Sequence, residues 1–257
     1  MILTFNTDMA AGYKNKSQRA RVLTENWMER NGYCPICGAF SIRHYAANRP
    51  VADFYCDACK SDFELKSKYS KSGKLMGKVV DGAYDTMIAR ITSRNNPNFF
   101  FMTYANDAVS NLLMVPNYFF VPAIIEKRKP LSDTARRAGW VGCNIQLSEI
   151  PKAGRIYMIR NRIEVDKKVV FSNCAKASRL QTSDIEGRGW LLDVLACIEK
   201  IKTDQFYLAD VYAFENQLAA KYPNNKNIRA KIRQQLQLLR DRGFIEFLSR
   251  GVYRKIR

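Results

Sequence analysis

Four cysteines constrain this chain more tightly than any other feature. Cys34-x2-Cys37 and Cys56-x2-Cys59, with 18 residues between the pairs, fall inside the spacing window of a four-cysteine zinc site. Thiolates two residues apart bend round one tetrahedral ion. Two such knuckles close the shell without leaving a water position, so the predicted Zn2+ is structural. The alternatives are a redox pair or unligated cysteines, but a redox Cys-x-x-Cys opens a helix after a strand and needs only one pair. His44, the single histidine, lies between the knuckles and is expected as a loop or core residue rather than a ligand.

The second knuckle interrupts another pattern. In VADFYCDACKSDFELKSK (51–68), Asp53 precedes it and Glu64 and Lys66 follow it. Side chains at i and i+2 of a strand share a face, so Glu64 and Lys66 project together while Phe63 and Leu65 pack the other way. If residues 51–55 pair with 63–67, Asp53 points at the same spot. Carboxylates on neighbouring strands are hard oxygen ligands for Mg2+. A lysine beside the ion can orient or deprotonate an attacking water, its own proton affinity lowered by burial and the metal. Such a site suits in-line displacement at a phosphodiester. Taken alone, Asp-x10-Glu-x-Lys also fits a solvated, charged strand edge.

Periodicity supplies the frame. Residues 17–30 read as a helix burying Ala20, Leu23 and Trp27, and residues 82–92 as a second with Tyr84, Met87, Ile88 and Ile91 on one face. FFFMTY (99–104) and NLLMVP (111–116) are apolar runs too short for helices and suited to buried central strands. The order helix, strand, strand, helix, strand, strand implies an α/β core with a mixed sheet. SNCAKASRLQTSDIEGRG (172–189) is polar without hydrophobic period and is expected to be a linker. Beyond it, WLLDVLACIEKI and FYLADVYAFENQL read as amphipathic helices, NIRAKIRQQLQLLRD (227–241) as a third, and FIEFL-SRG-VYRKI as a hairpin. Three helices and a hairpin make a winged helix. The predicted division is a catalytic domain with a zinc site over 1–182 and a winged helix over 183–257.

Charge points to the partner. With 42 Lys+Arg against 24 Asp+Glu the net charge is +18. An excess of that size repels itself unless a polyanion relieves it, so nucleic acid leads and an acidic membrane surface follows. Residues 221–257 alone hold 11 Lys+Arg and 2 Asp+Glu. In helix 227–241, Ile228, Ile232, Leu236 and Leu239 face the core. Arg229, Arg233, Gln237 and Arg240 line another side, with Gln234 close by. Arg and Gln make bidentate contacts to guanine and adenine in the major groove, so this is the expected recognition helix. Arg250, Arg254 and Lys255 on the wing are expected to meet the DNA backbone. A solvated basic helix on a protein-docking winged helix is the alternative. In TARRAGWVG (134–142), Arg136 and Arg137 beside Trp140 suggest a DNA-contacting loop, against the alternative of a buried indole.

No apolar run approaches the roughly 18 residues of a membrane span. The start MILTFNTDMAAGYKNK lacks the basic-then-apolar order of a signal peptide. Seven cysteines, four of them in Cys-x-x-Cys pairs, fit a reducing compartment. The expected location is the cytoplasm, with no membrane and no obligate protein partner.

Pro50-Val-Ala-Asp53 followed by Glu64-Leu-Lys66, behind one helix and ahead of a helix and two apolar strands, resembles the PD-D/ExK nuclease core. YCPICG, NRPVADFYCDAC, FELKSK, NNPNFFF, TARRAGW-x-GCNI, KIRQQLQ-LRD and the closing wing extend the resemblance nearly end to end, to the DpnI-like methyl-directed restriction endonucleases. That resemblance implies type II, Mg2+-dependent double-strand cleavage of GATC sites carrying N6-methyladenine. It implies Asp53, Glu64 and Lys66 as catalytic residues, Asp53, Glu64 and Leu65 around Mg2+, and Cys34, Cys37, Cys56 and Cys59 around Zn2+. It also implies that both domains read the methylated site, with Trp140 near the methyl groups. Two other readings stand beside it: a zinc-ribbon and winged-helix regulator that binds DNA without cutting, and a repair nuclease of the same fold.

Overall fold

The computed structural model describes residues 1–46, 52–75, 77–93 and 96–256. Residues 48–51 of NRPVADF and Asn95 of NNPNFFF lie outside them. Helix α1 (Lys16–Asn31) begins where the Asn15 side chain accepts the N–H groups of Ser17 and Gln18, and it buries Leu23, Trp27 and Met28. After it come β1 (Arg43–His44), β2 (Phe54–Tyr55), β3 (Asp62–Tyr69) and β4 (Lys78–Ala83). Next are α2 (Tyr84–Ile91), β5 (Asn98–Ala105), β6 (Ala108–Val115), β7 (Ile125–Lys127), β8 (Gly142–Gln146), β9 (Ile156–Arg160) and β10 (Ile163–Glu164).

The main sheet has seven strands in the order β1-β2-β3-β5-β6-β9-β10, and a second sheet runs β4-β8-β7. β3 and β5 pair in parallel, while β2 with β3 and β5 with β6 are antiparallel, so the sheet is mixed as expected. A parallel pair needs a crossover, and β4 with α2 supplies it. The same crossover brings a strand of the second sheet alongside β3. β5 and β6 are the buried centre: Phe99, Phe100 and Phe101 are almost wholly shielded, and Phe63 stacks on Phe100 with ring centroids 4.8 Å apart. Each such phenylalanine contributes about 1.5–3 kcal/mol by burial.

Two segments differ from expectation. Residues 172–189, expected to be a linker, are mostly helical: α3 (Lys167–Ser178) and the start of α4 (Ile185–Lys200) cover them. α3 buries Val170, Cys174 and Ala177 at helical spacing, but two of the three are small, so the apolar stripe is faint in sequence. FYLADVYAFENQL is not one helix. It forms β11 (Gln205–Tyr207), α5 (Leu208–Tyr212) and α6 (Glu215–Lys221). Here tertiary pairing overrides local period, because Phe206 joins the wing sheet and stacks on Tyr253 at 5.5 Å. α7 (Ile228–Asp241), β12 (Ile245–Ser249) and β13 (Val252–Lys255) complete the chain, with the wing strands in the order β11-β13-β12. α7 buries Ile228, Ile232, Leu236 and Leu239, as its period predicts.

α4 ties this winged helix to the rest. Arg188 Nη2 donates to the carbonyls of Phe120 at 3.3 Å and Ile91 at 3.5 Å, and Glu199 accepts the Lys152 N–H at 2.6 Å. Among the described residues no helix is long and apolar enough to cross a membrane.

Candidate active site and metal centre

Both cysteine knuckles have the same backbone build. The Cys34 carbonyl accepts the Gly38 N–H at 3.0 Å, and the Cys56 carbonyl accepts that of Lys60 at 2.9 Å. Each turn closes on a left-handed residue, Gly38 at φ 82° and Lys60 at φ 59°. The four sulfurs lie within 4.8 Å of one another, with Cys34 to Cys59 at 3.6 Å and Cys37 to Cys56 at 3.5 Å. Thiolates around one zinc ion stand about 3.8 Å apart, so this donor set can hold zinc without rebuilding. Burial raises the Cys34 thiol; burial also acts on Cys59, but contacts with the Ser61 side chain and main chain, joined by the Cys34 and Cys37 thiols, outweigh it and hold that thiol at about 7. His44 is no part of the cluster: its Nε2 lies 3.2 Å from Glu25 and its ring meets Phe54 edge-on at 4.9 Å. Among the described residues this is the only group of three or more Cys, His, Asp or Glu side chains placed to share a metal.

The Cys56–Cys59 turn joins β2 to β3, setting Phe54 opposite Phe63 and Tyr55 opposite Asp62. Asp53, just ahead of β2, donates its N–H to the Phe63 carbonyl at 3.0 Å, and its Oδ2 accepts the Leu65 N–H at 2.7 Å. Asp53, Glu64, Leu65 and Lys66 line a cleft of about 430 Å³, together with Arg21, Thr24 and Glu25 of α1 and Val79 of β4. Phe63 points the other way and is fully buried.

Two residues that the sequence did not mark complete this arrangement. Lys66 Nζ lies 2.5 Å from both Glu64 Oε1 and Asp81 Oδ1, and Arg90 Nη2 lies 2.7 Å from Glu64 Oε2. That last contact is an ion pair without hydrogen-bond alignment, so Glu64 Oε2 is buried with no hydrogen-bond donor. Asp81 sits in VVDGAY, whose Asp-Gly reads as a turn. Arg90 reads as one charge on a solvated helix face. Burial raises the Asp53 carboxyl, opposed by the Leu65 N–H and the nearby Lys66 and Arg21. For Lys66, burial works downward, but Glu64 and Asp81 outweigh it and hold the ammonium above its ordinary value. Burial thus acts in the expected direction, and the two carboxylates, Glu64 and the Asp81 that β4 brings in, work against it. Glu64 Oε2, which no hydrogen bond satisfies although Arg90 lies beside it, the Asp53 carboxylate and the main chain of Leu65 are hard oxygen donors of the kind Mg2+ takes, so the residues fit that ion.

Residues 1–183 match the sequence model of the DpnI, Dam-replacing family, and residues 186–255 match that of the Dam-replacing HTH domain. The chain belongs to the Dam-replacing family. It is a DpnI-like, methyl-directed restriction enzyme, a nuclease that acts on DNA and carries a C-terminal DNA-binding domain.

In this Dam-replacing chain the expected DNA contacts are distributed over two surfaces. Arg229, Arg233, Gln234 and Gln237 all lie on the exposed side of α7. Arg229 Nε is 2.8 Å from Glu215, and Arg233 Nη1 donates to the Tyr212 hydroxyl at 2.7 Å, so α5 and α6 hold both guanidiniums in place. Arg250 is exposed in the wing turn and Arg254 pairs with Glu246 across the hairpin. Lys255, expected to face the DNA backbone, instead bonds the Ile201 carbonyl. Adjacent strand residues point to opposite faces, so Arg254 and Lys255 cannot share the outer one. On the other surface, the loop before β8 is closed by the Leu131 N–H on the Trp140 carbonyl at 2.9 Å. Arg136 and Arg137 are exposed there, and the Arg137 guanidinium lies 4.6 Å above the half-buried Trp140 ring. A Cβ on Gly142 would stand 2.9 Å from that ring, so the glycine leaves room for the indole to approach the strand closely.

Proposed function

We propose that this chain is a type II restriction endonuclease that cuts both strands of double-stranded DNA at GATC sites carrying N6-methyladenine, by Mg2+-dependent hydrolysis. Its catalytic domain spans residues 1–182 and its winged helix residues 183–257. The observation that carries this reading is the meeting of Asp53, Glu64 and Lys66 in one cleft of a Dam-replacing chain. A regulator that only binds DNA has no use for two half-buried carboxylates and a lysine on one face.

Asp53, Glu64 and the Leu65 main chain would hold Mg2+, which when bound polarises the phosphate and lowers the pKa of its water. Lys66 orients the attacking water and offsets charge gathering on the phosphate. The Leu65 N–H fixes the Asp53 carboxylate, and Arg90 keeps Glu64 in the cleft. Cys34, Cys37, Cys56 and Cys59 hold Zn2+ as a staple on the hairpin that carries the acids. Arg229, Arg233, Gln234 and Gln237 enter the major groove, with Arg250 and Arg254 on phosphates.

Digestion of one plasmid prepared from adenine-methylating and non-methylating hosts tests this reading. With Mg2+, the methylated preparation falls to the fragments of its GATC map and the other stays intact. Cutting of both sinks the methyl requirement, and cutting unrelated to GATC favours a repair nuclease. Retained DNA binding with no cutting favours the regulator.

Trp140, with Arg136 and Arg137, is the proposed methyl-reading group of the catalytic domain. A methyl on adenine N6 removes one donor and adds no polar group, so it is read as an apolar contact or as a change of shape, and the indole supplies the first. One buried methyl is worth about 0.8 kcal/mol, or about fourfold. Trp140→Ala therefore lowers the ratio of methylated to unmethylated cleavage rates by about fourfold for each methyl group that the indole covers. An unchanged ratio removes Trp140 from the recognition.

A further inference from the structure

We infer that Asp81 is the positioning residue for Lys66, the group that keeps its ammonium in the cleft once Glu64 is engaged by a metal. This rests on the reading of Lys66 as catalytic. Lys66 Nζ sits between two carboxylates, 2.5 Å from each, and their exposures differ: the Asp81 side chain is 8% exposed and that of Glu64 14%. Asp81 is absent from the lining of the cleft, so it grips Lys66 from behind rather than facing the phosphate.

The backbone is built for that grip. In the β4–β8 ladder Asp81 stands opposite Cys143 and Ala83 opposite Gly142, leaving Gly82 unmatched as a bulge. A bulge bends its strand and re-aims the neighbouring side chain. The Gly82 N–H then donates at 2.7 Å to Asp81 Oδ1, the same oxygen that meets Lys66, which fixes the rotation of the carboxylate. Asp81 Oδ2 is buried without a hydrogen-bond partner.

The need follows from the proposed chemistry. With a metal bound, Glu64 would share its charge with it, and a lysine anchored only there would lose its hold. Its ammonium is compact, strongly hydrated and carried on a flexible stem, so nothing else in the side chain would keep it aimed. An anchor on a separate sheet, outside the ligand set, keeps Lys66 in place through the metal-bound state.

Single-turnover cleavage of a methylated GATC duplex by wild type, Asp81→Asn, Lys66→Ala and the double variant tests this. Asp81→Asn slows cleavage by about tenfold to a hundredfold, the loss expected from a misplaced group. Duplex binding in Ca2+ is unchanged, and Asp81→Asn costs nothing further in the Lys66→Ala background. A wild-type rate in Asp81→Asn, or an additive loss in the double variant, overturns the inference. So does recovery of Asp81→Asn at raised Mg2+, which makes Asp81 a metal ligand. Full cleavage by Lys66→Ala sinks instead the reading of Lys66 itself. Where Asp81→Asn melts below the assay temperature, acetic anhydride labelling of Glu64→Gln reads the same grip. Lys66 stays among the slowest lysines to acetylate if Asp81 holds it, and fast labelling overturns the inference.

Discussion

Protein stripped of its thiolate-bound zinc, or carrying Cys56→Ser, loses cleavage of methylated DNA altogether and unfolds at a much lower temperature, although zinc never touches the phosphate. The reason lies in the brevity of β2. Phe54 and Tyr55 are its only residues, and two ladder positions opposite Phe63 and Asp62 hold it to β3. A strand that short has little stability of its own. Asp53 depends on it, because the N–H of Asp53 reaches the Phe63 carbonyl only while the hairpin is closed. The other pair, Cys34 and Cys37, follows the end of α1, so an ion held by all four thiolates would tie that helix to the hairpin. Structural zinc contributes about 10–16 kcal/mol in small peptides. Whole domains are stable by only about 5–15 kcal/mol, so a loss of that order cannot be absorbed. Metal content per chain, a melting curve and plasmid cleavage on the same preparation check this, with activity restored by added Zn2+. A zinc-free protein that melts and cuts normally in Mg2+ would show the staple to be dispensable.

Asp53→Asn lowers single-turnover cleavage by at least about a thousandfold while leaving the fold and the binding of methylated duplex intact. Metal-held charge stabilisation of a phosphoryl transition state is worth several kcal/mol. Each 1.4 kcal/mol is about tenfold in rate, which gives that magnitude. The choice of asparagine matters. Asp53 Oδ2 accepts the Leu65 N–H at 2.7 Å, and an asparagine oxygen still accepts it, though without the carboxylate's charge. Asp53→Ala leaves that N–H without its partner and costs about 1–3 kcal/mol of stability in addition. A variant pair in which asparagine and alanine cut equally poorly, but only alanine melts early, separates chemistry from structure. Asp53→Asn cutting at the wild-type rate would remove Asp53 from the site.

Legibility in the sequence followed the range of the interaction. Cys-x2-Cys spacing, the i and i+2 placement of Glu64 and Lys66, and the apolar runs that became β5 and β6 are local patterns, and each is realised. α3 escaped notice because Cys174 and Ala177 make a weak apolar stripe, so a buried helix looked like a polar linker. β11 escaped because its partner β13 lies some forty-five residues downstream, beyond any local period. Lys255 is a different kind of miss. Strand alternation alone separates it from Arg254, and applying that rule to the hairpin predicts its inward turn.

The sequence by itself determined the inventory: four thiolates spaced for one ion, two acids and a lysine around a hairpin, and a basic, Arg- and Gln-bearing helix ahead of a wing. Only the tertiary structure decided who holds whom. Asp81 and Arg90 reach Lys66 and Glu64 because the crossover between β3 and β5 carries a strand of the second sheet and a helix past the cleft. Spacing along a chain encodes which side chains share a face. Convergence between elements depends on how two sheets pack, and that is settled by the buried surface of the whole domain rather than by any stretch of eighteen residues.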